Sequence, residues 1–280
     1  MGPDGNVWVT QQTQANLVRI TPRGEVRVHP LPEGSGPHGI GFDRRGHVWL
    51  TFELKHEIVE VDRSGQIIER HRIPPDAAGR RPGPHGLHVA RDGAVWWTGK
   101  EGDVVGRLDP RTGRMRVFPL PTAASKPIYI AEGCDGMYFT ELTGARIGRV
   151  TDGGEITEWR TPTPDSQPIA VAPRDCRIWF SEADGHRYGM LDPRSGRIVE
   201  YPLRRAGDEL ASLAFDYRGT LWLQHVRPDV IGHAGADREV DDFAIPTKNA
   251  TMHRIIEGPG GRMWFTELAT DKVGYFEPDG

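Results

Sequence analysis

Apolar and polar positions alternate along this chain in short runs, and the runs recur as a set of four. The first kind reads GPHGIGF, GPHGLHV, KPIYIAE, QPIAVAP, LASLAFD and MHRIIEG. The second is VWLT, VWWT, MYFT, IWFS, LWLQ and MWFT, and the third runs from EIVEVD through VVGRLD to KVGYFE. IIERHRIP, MRVFPLP, ITEWRTP, IVEYPL and VDDFAIP make the fourth. Gly, Pro and Asp turns separate them, and no run carries the period of a helix. This is the grammar of β-hairpins. DPRTGR (109–114) and DPRSGR (192–197) fit the turn between third and fourth strands, as solvated turn residues.

The aromatic in each second run sets the repeat: Trp8, Trp49, Trp96, Tyr138, Trp179, Trp222 and Trp264. Subtracting neighbours gives spacings of 41 to 47 residues, the length of a four-stranded propeller blade. The pattern predicts an all-β chain, a seven-bladed β-propeller, as a single domain over 1–280. Blade 1 begins at its second strand and blade 7 stops after its third. The innermost strand of blade 1 and the outermost strand of blade 7 are therefore expected to be missing, as in a chain that is N-terminally short.

Composition narrows the partners. The net charge of −4 and the absence of a Lys/Arg cluster point away from nucleic acid, and no apolar run is long enough for a membrane span. A monomer acting on a small molecule or cyclic peptide is expected. Two cysteines, Cys134 and Cys176, are too few for a disulfide framework. They are expected to be free thiols, and a cytoplasmic location is favoured, with secretion left open because the chain starts within repeat sequence.

Propeller topology places the start of each first strand beside the end of each second strand, at one mouth of the channel. His38, His85 and His253 stand at first-strand starts; His56, His186 and His225 lie at or after second-strand ends. His29, His71 and His233 fall on outer strands and read as surface or packing residues. Glu141, Glu182 and Glu267 follow the anchor aromatic by three residues, and Glu53 and Glu101 lie close to equivalent places. Lys100, Lys126 and Tyr129 can join the same mouth. Imidazoles and carboxylates around one concavity suit proton transfer or a divalent cation. The competing reading of the repeated Glu is structural, a carboxylate bonding backbone of the neighbouring blade.

The phrases P-H-G-I, V-W-x-T, W-F-T-E and R-I-G-R, with F-P-L-P ends, resemble the virginiamycin B lyase (streptogramin lyase) family across essentially the whole chain. That resemblance implies a seven-bladed propeller that opens a cyclic depsipeptide by elimination. A His base would remove a Cα proton while Mg²⁺ held by Glu residues assists the departing ester. In the colinear register His253 matches the family's base and Glu267 its catalytic Glu. Thr251 stands where a metal-binding Glu is expected, and Ala211 where a second His is. A register rotated around the ring uses His85 and His38 with Glu101, whose EGDVVG context resembles the loop after the family's catalytic Glu; Gly83 then replaces the metal ligand. The candidate catalytic set is His85, His253, Glu101 and Glu267. His38, Lys100, Lys126, Tyr129 and His225 are candidate substrate contacts, and Glu53 and Glu101 candidate Mg²⁺ ligands. A lactonase-type hydrolase and a non-catalytic binding propeller are the alternatives.

Overall fold

The computed structural model describes residues 1–204, 208–235 and 238–278. Seven antiparallel sheets follow one another along the chain, the arrangement of a seven-bladed β-propeller. Five sheets have four strands; the first (from Val7–Gln11 to Val26–Pro30) and the last (from Met252–Glu257 to Lys272–Phe276) have three. The four recurrent sequence runs coincide with the four strands of a blade. The chain divides into two compact units, residues 1–132 with 149–156, and residues 133–148 with 157–280.

Each blade packs around its anchor aromatic. In the first unit His29 stacks on Trp8, His71 on Trp49 and Phe118 on Trp96, with ring centroids 5.7, 5.9 and 5.9 Å apart. In the second unit Trp159 stacks on Tyr138 and Tyr201 on Trp179, at 6.3 and 6.0 Å. A flat group on the fourth strand thus covers the ring on the second and adds contact energy beyond plain burial. His29 and His71 are packing residues of this kind. Burial, reinforced by Arg27 and Arg19, holds His29 below the usual imidazole pKa and so neutral.

The residue two past the anchor carries a hydroxyl in six blades, and in several of them it joins neighbouring blades. In the first unit the Thr51 hydroxyl accepts from Gly39 N–H (2.7 Å) and donates to His85 C=O on the next blade (2.9 Å). Thr98 repeats the arrangement between Gly86 N–H (2.9 Å) and Ile128 C=O (2.7 Å), and Thr10 donates to His38 C=O (2.9 Å). In the second unit Thr140 donates to Ile169 C=O (2.6 Å), while Ser181 and Thr266 accept from Ala170 and Arg254 N–H (both 3.0 Å). A hydroxyl both donates and accepts, so one small side chain satisfies a backbone donor in its own blade and an acceptor in the next.

A second set of links comes from the left-handed residue that ends the hairpin between second and third strands. His56 (φ 55°), Asp103 (φ 49°) and His186 (φ 50°) occupy this position. In the first unit His56 Nδ1 accepts from Gly83 N–H (3.2 Å), and Asp103 accepts from Ala124, Ser125 and Lys126 N–H (2.8, 2.9 and 3.1 Å). In the second unit His186 Nδ1 donates to Asp208 C=O (2.8 Å). Two imidazoles expected around an open bowl therefore hold blade to blade.

The expectation of free thiols is overturned. Cys134 and Cys176 form a disulfide within the second unit, their Cα atoms 5.2 Å apart. Each precedes the second strand of its blade, and those two turns come near enough for a bond. Closing the 42-residue separation contributes about 4 kcal/mol in the chain-entropy account.

Replacing Thr98 by the isosteric Val leaves Gly86 N–H and Ile128 C=O without their bridge. The expected loss, read from urea unfolding, is about 2 kcal/mol; an unchanged midpoint would show that the hydroxyl links carry no stability.

Candidate functional site

In the first unit the P-H-G runs open the first strands of blades 2 and 3. Gly36 and Gly83, at φ 59° and 57°, turn the chain into each strand. Pairing with the second strand then slips between Pro37 and Ile40, and again between Pro84 and Leu87. These are β-bulges, which re-aim side chains. His38 and His85 are held in them. The next residue must be glycine: a Cβ at Gly39 would lie 2.5 Å from His85 O, and one at Gly86 2.1 Å from Ile128 O.

Close approach of the inner strands brings the two imidazoles face to face, with centroids 3.6 Å apart and planes tilted by 34°. His38 Nδ1 lies 3.3 Å from His85 O, and His85 Nδ1 3.4 Å from Ile128 O. A carbonyl oxygen only accepts, so Nδ1 carries the proton in each ring and Nε2 is the acceptor nitrogen. Tyr129 stands edge-on to His85, at 6.1 Å and 88°.

Beside them lies a charged set. Glu53 is buried and takes Lys100 Nζ at 2.5 Å and Gln12 Nε2 at 3.0 Å. Lys100 N–H bonds Gly83 O (3.0 Å), two residues ahead of His85. Glu101 and Lys126 are exposed, and among the described residues neither forms an ion pair. The first unit thus gathers His38, His85 and Tyr129, and pairs Glu53 with Lys100, while Glu101 and Lys126 stay on its surface.

The second unit holds the other candidates. His253 also sits in a bulge, between Met252 and Ile255. Burial first, then Arg254, holds it below the usual imidazole pKa and therefore neutral at pH 7. Glu267 pairs in register with Met252, is buried, and accepts from the Thr270 hydroxyl at 2.9 Å. His225 differs from its expected substrate-contact role. It is fully buried, with Nδ1 3.9 Å from Asp208 Oδ2 and Nε2 3.6 Å from Asp242 Oδ1, which leaves it no surface to offer a substrate.

A magnesium ion wants six oxygen ligands in near-octahedral array. Glu53 already faces an ammonium, and Glu101 lies exposed on the surface. Among the described residues, three potential ligand atoms come within 4.8 Å of one another only at Asp43, His47 and Glu60. The Arg45 guanidinium occupies that place, 2.7 Å from Asp43 and 2.5 Å from Glu60. The carboxylates named for Mg²⁺ therefore do not form an oxygen cage for it.

Comparison with known proteins decides the family. The profile of the Virginiamycin B lyase family matches residues 1–211 and 81–280. The chain belongs to the virginiamycin B lyase family. It is 30% identical over 174 residues to the virginiamycin B lyase of Nocardia farcinica, a match covering 61% of this chain and 57% of that relative's length. A streptogramin B lyase structure superposes with a TM-score of 0.90 at 25% identity, covering 98% of this chain and 90% of the other. Virginiamycin B lyase from Staphylococcus aureus gives 0.89 at 27%, covering 98% and 92%. A catalytically inactive His-to-Ala form of the S. aureus enzyme, solved with quinupristin, gives 0.88 at 26%, covering 98% and 92%.

Within this family fold Glu182 is electrostatically unusual. It is completely buried, and its pKa is pushed up to about 8, mainly by burial and further by Glu200; the Ser166 hydroxyl and Arg187 oppose the shift. The folded protein therefore holds a proton here that the unfolded chain releases above about pH 4.5. Stability from this group is complete below that pH and declines as pH rises to about 8, by on the order of 4 kcal/mol. Glu182→Gln removes that slope: relative to wild type the variant gains stability between pH 5.5 and 8.5 in urea unfolding. Parallel pH profiles would contradict the assignment.

Proposed function

We propose that this chain is a carbon–oxygen lyase that opens the ester of a cyclic depsipeptide of the streptogramin B type, with His85 as base. The observation that carries the reading is the His38–His85 pair, whose Nδ1 atoms face backbone carbonyls so that Nε2 is the basic nitrogen. Membership of the family supports this reaction class. His85 Nε2 takes the proton from a Cα beside a carbonyl. The C–H electron pair becomes the Cα=Cβ bond, the Cβ–O bond breaks, and the ester oxygen leaves as a carboxylate. The imidazolium then returns its proton to water, and no water enters the product. His38 stacks on the base and limits its rotation. Lys100, whose charge Glu53 balances, offers its remaining ammonium N–H groups as hydrogen-bond donors to the developing carboxylate. No step is routed through Mg²⁺, because these carboxylates do not cage it.

His253 gives a second reading, favoured by its bulge and its depressed pKa, which leaves a neutral base at pH 7. A lactonase on the same scaffold would use water and yield a hydroxy acid. The disulfide suits an oxidising compartment, so we also propose that the protein works outside the cytosol.

Incubation with a streptogramin B, with and without Mg²⁺, followed by mass spectrometry, separates these readings. The expected product is linear and isobaric with the substrate, and His85→Ala lowers the rate by about 10²–10⁴-fold, the range of general base catalysis. A gain of one water mass would indicate the hydrolase. Full activity in His85→Ala with loss in His253→Ala would move the base to the second unit.

A further inference from the structure

In the first unit, the hairpin between the second and third strands of blade 2 and the segment leading into blade 3 enclose a pocket of 370 Å³. Lys55, His56 and Glu57 line one side, Arg72 the end of the fourth strand, and Arg81 the connecting segment. Three cations thus surround one carboxylate, in a chain whose net charge is −4. Glu57 is buried and already engaged, with Arg72 Nε at 3.4 Å and Arg70 Nη1 at 3.8 Å. Among the described residues Lys55 and Arg81 make no ion pair, and Lys55 is only half-exposed.

His56 adds a directional donor. Its Nδ1 accepts from Gly83 N–H, so the neutral ring carries its proton on Nε2. Burial, then Arg81, holds it below the usual imidazole pKa, with Glu53 opposing. It is therefore neutral at pH 7.5 and still donates. Two cations without a carboxylate partner, lining one concavity with a neutral imidazole N–H donor, offer what an oxyanion needs: charge to neutralise and hydrogens to accept.

We propose that this pocket is an oxyanion-binding site, taking a carboxylate or phosphate group of a small molecule between Lys55, His56 and Arg81. This goes beyond the lyase reading and stands without it. Arg81 and Lys55 provide the charge. His56 provides the neutral hydrogen bond. Arg72, tied to Glu57, lends its charge at the rim.

The test follows the His56 ring resonances by NMR at pH 7.5 while sodium phosphate or sodium acetate is added, with sodium chloride at matched ionic strength as control. A saturable shift with phosphate or acetate, absent with chloride and weakened at least tenfold in the Lys55→Gln/Arg81→Gln double variant, is the expected result. Tighter binding of phosphate assigns a phosphoryl ligand, and tighter binding of acetate a carboxylate. Shifts that merely follow the chloride control, or equal affinity in the double variant, overturn the proposal. The variant's dispersed amide spectrum shows that it is folded.

Discussion

The hydroxyl two residues past the anchor aromatics of blades 2 and 3, Thr51 and Thr98, is the constraint on which the candidate site depends. A first strand lying against the first strand of the next blade must satisfy donors and acceptors along both. Thr51 and Thr98 do this in the first unit with one oxygen each, bridging a backbone N–H of their own blade and a C=O of the next. The inner strands can then approach closely, and only glycine fits at Gly39 and Gly86. The same approach brings the His38 and His85 rings into contact. The carbonyl that receives the Thr51 hydroxyl, His85 O, also faces His38 Nδ1. One set of polar contacts thus organises both the scaffold and the protonation of the imidazoles.

Several charged and polar groups that look functional in isolation serve that scaffold. His56, Asp103 and His186 occupy left-handed hairpin positions and hold the following blade, whereas His29 and His71 cover tryptophans. Glu53 is neutralised by Lys100, and Asp43 with Glu60 by Arg45. These charged groups, withdrawn from water, are held against opposite charge, as low-dielectric packing demands. What stands apart is a small set: the stacked His pair, the bulged His253, and the cationic pocket beside His56.

The architecture was legible because it repeats. Trp49 and Trp96 announce blades through spacing alone, and the runs around them match the strands. The P-H-G run was legible as a site, but its reason was not. Bulges at His38 and His85 depend on how strands pair, and the need for Gly39 depends on a carbonyl from another blade. The threonine of V-W-x-T was visible as a repeat without its role, because the hydroxyl's partner lies 28 to 34 residues away on another blade. The disulfide of Cys134 and Cys176 is not legible, because spacing says nothing of two turns in adjacent blades. His225 shows the converse: its position in the repeat was right, but Asp208 and Asp242 close over it.

Neighbouring carbonyls fix the tautomer of the His pair, and the proposed base depends on that tautomer. Long-range ¹H–¹⁵N correlation of the histidine rings at pH 8 tests this directly. It predicts that His38 and His85 both show the Nδ1–H pattern, with Nε2 as the unprotonated nitrogen. An Nε2–H pattern for His85 would contradict it, because the proposed base would then lack the lone pair on that nitrogen.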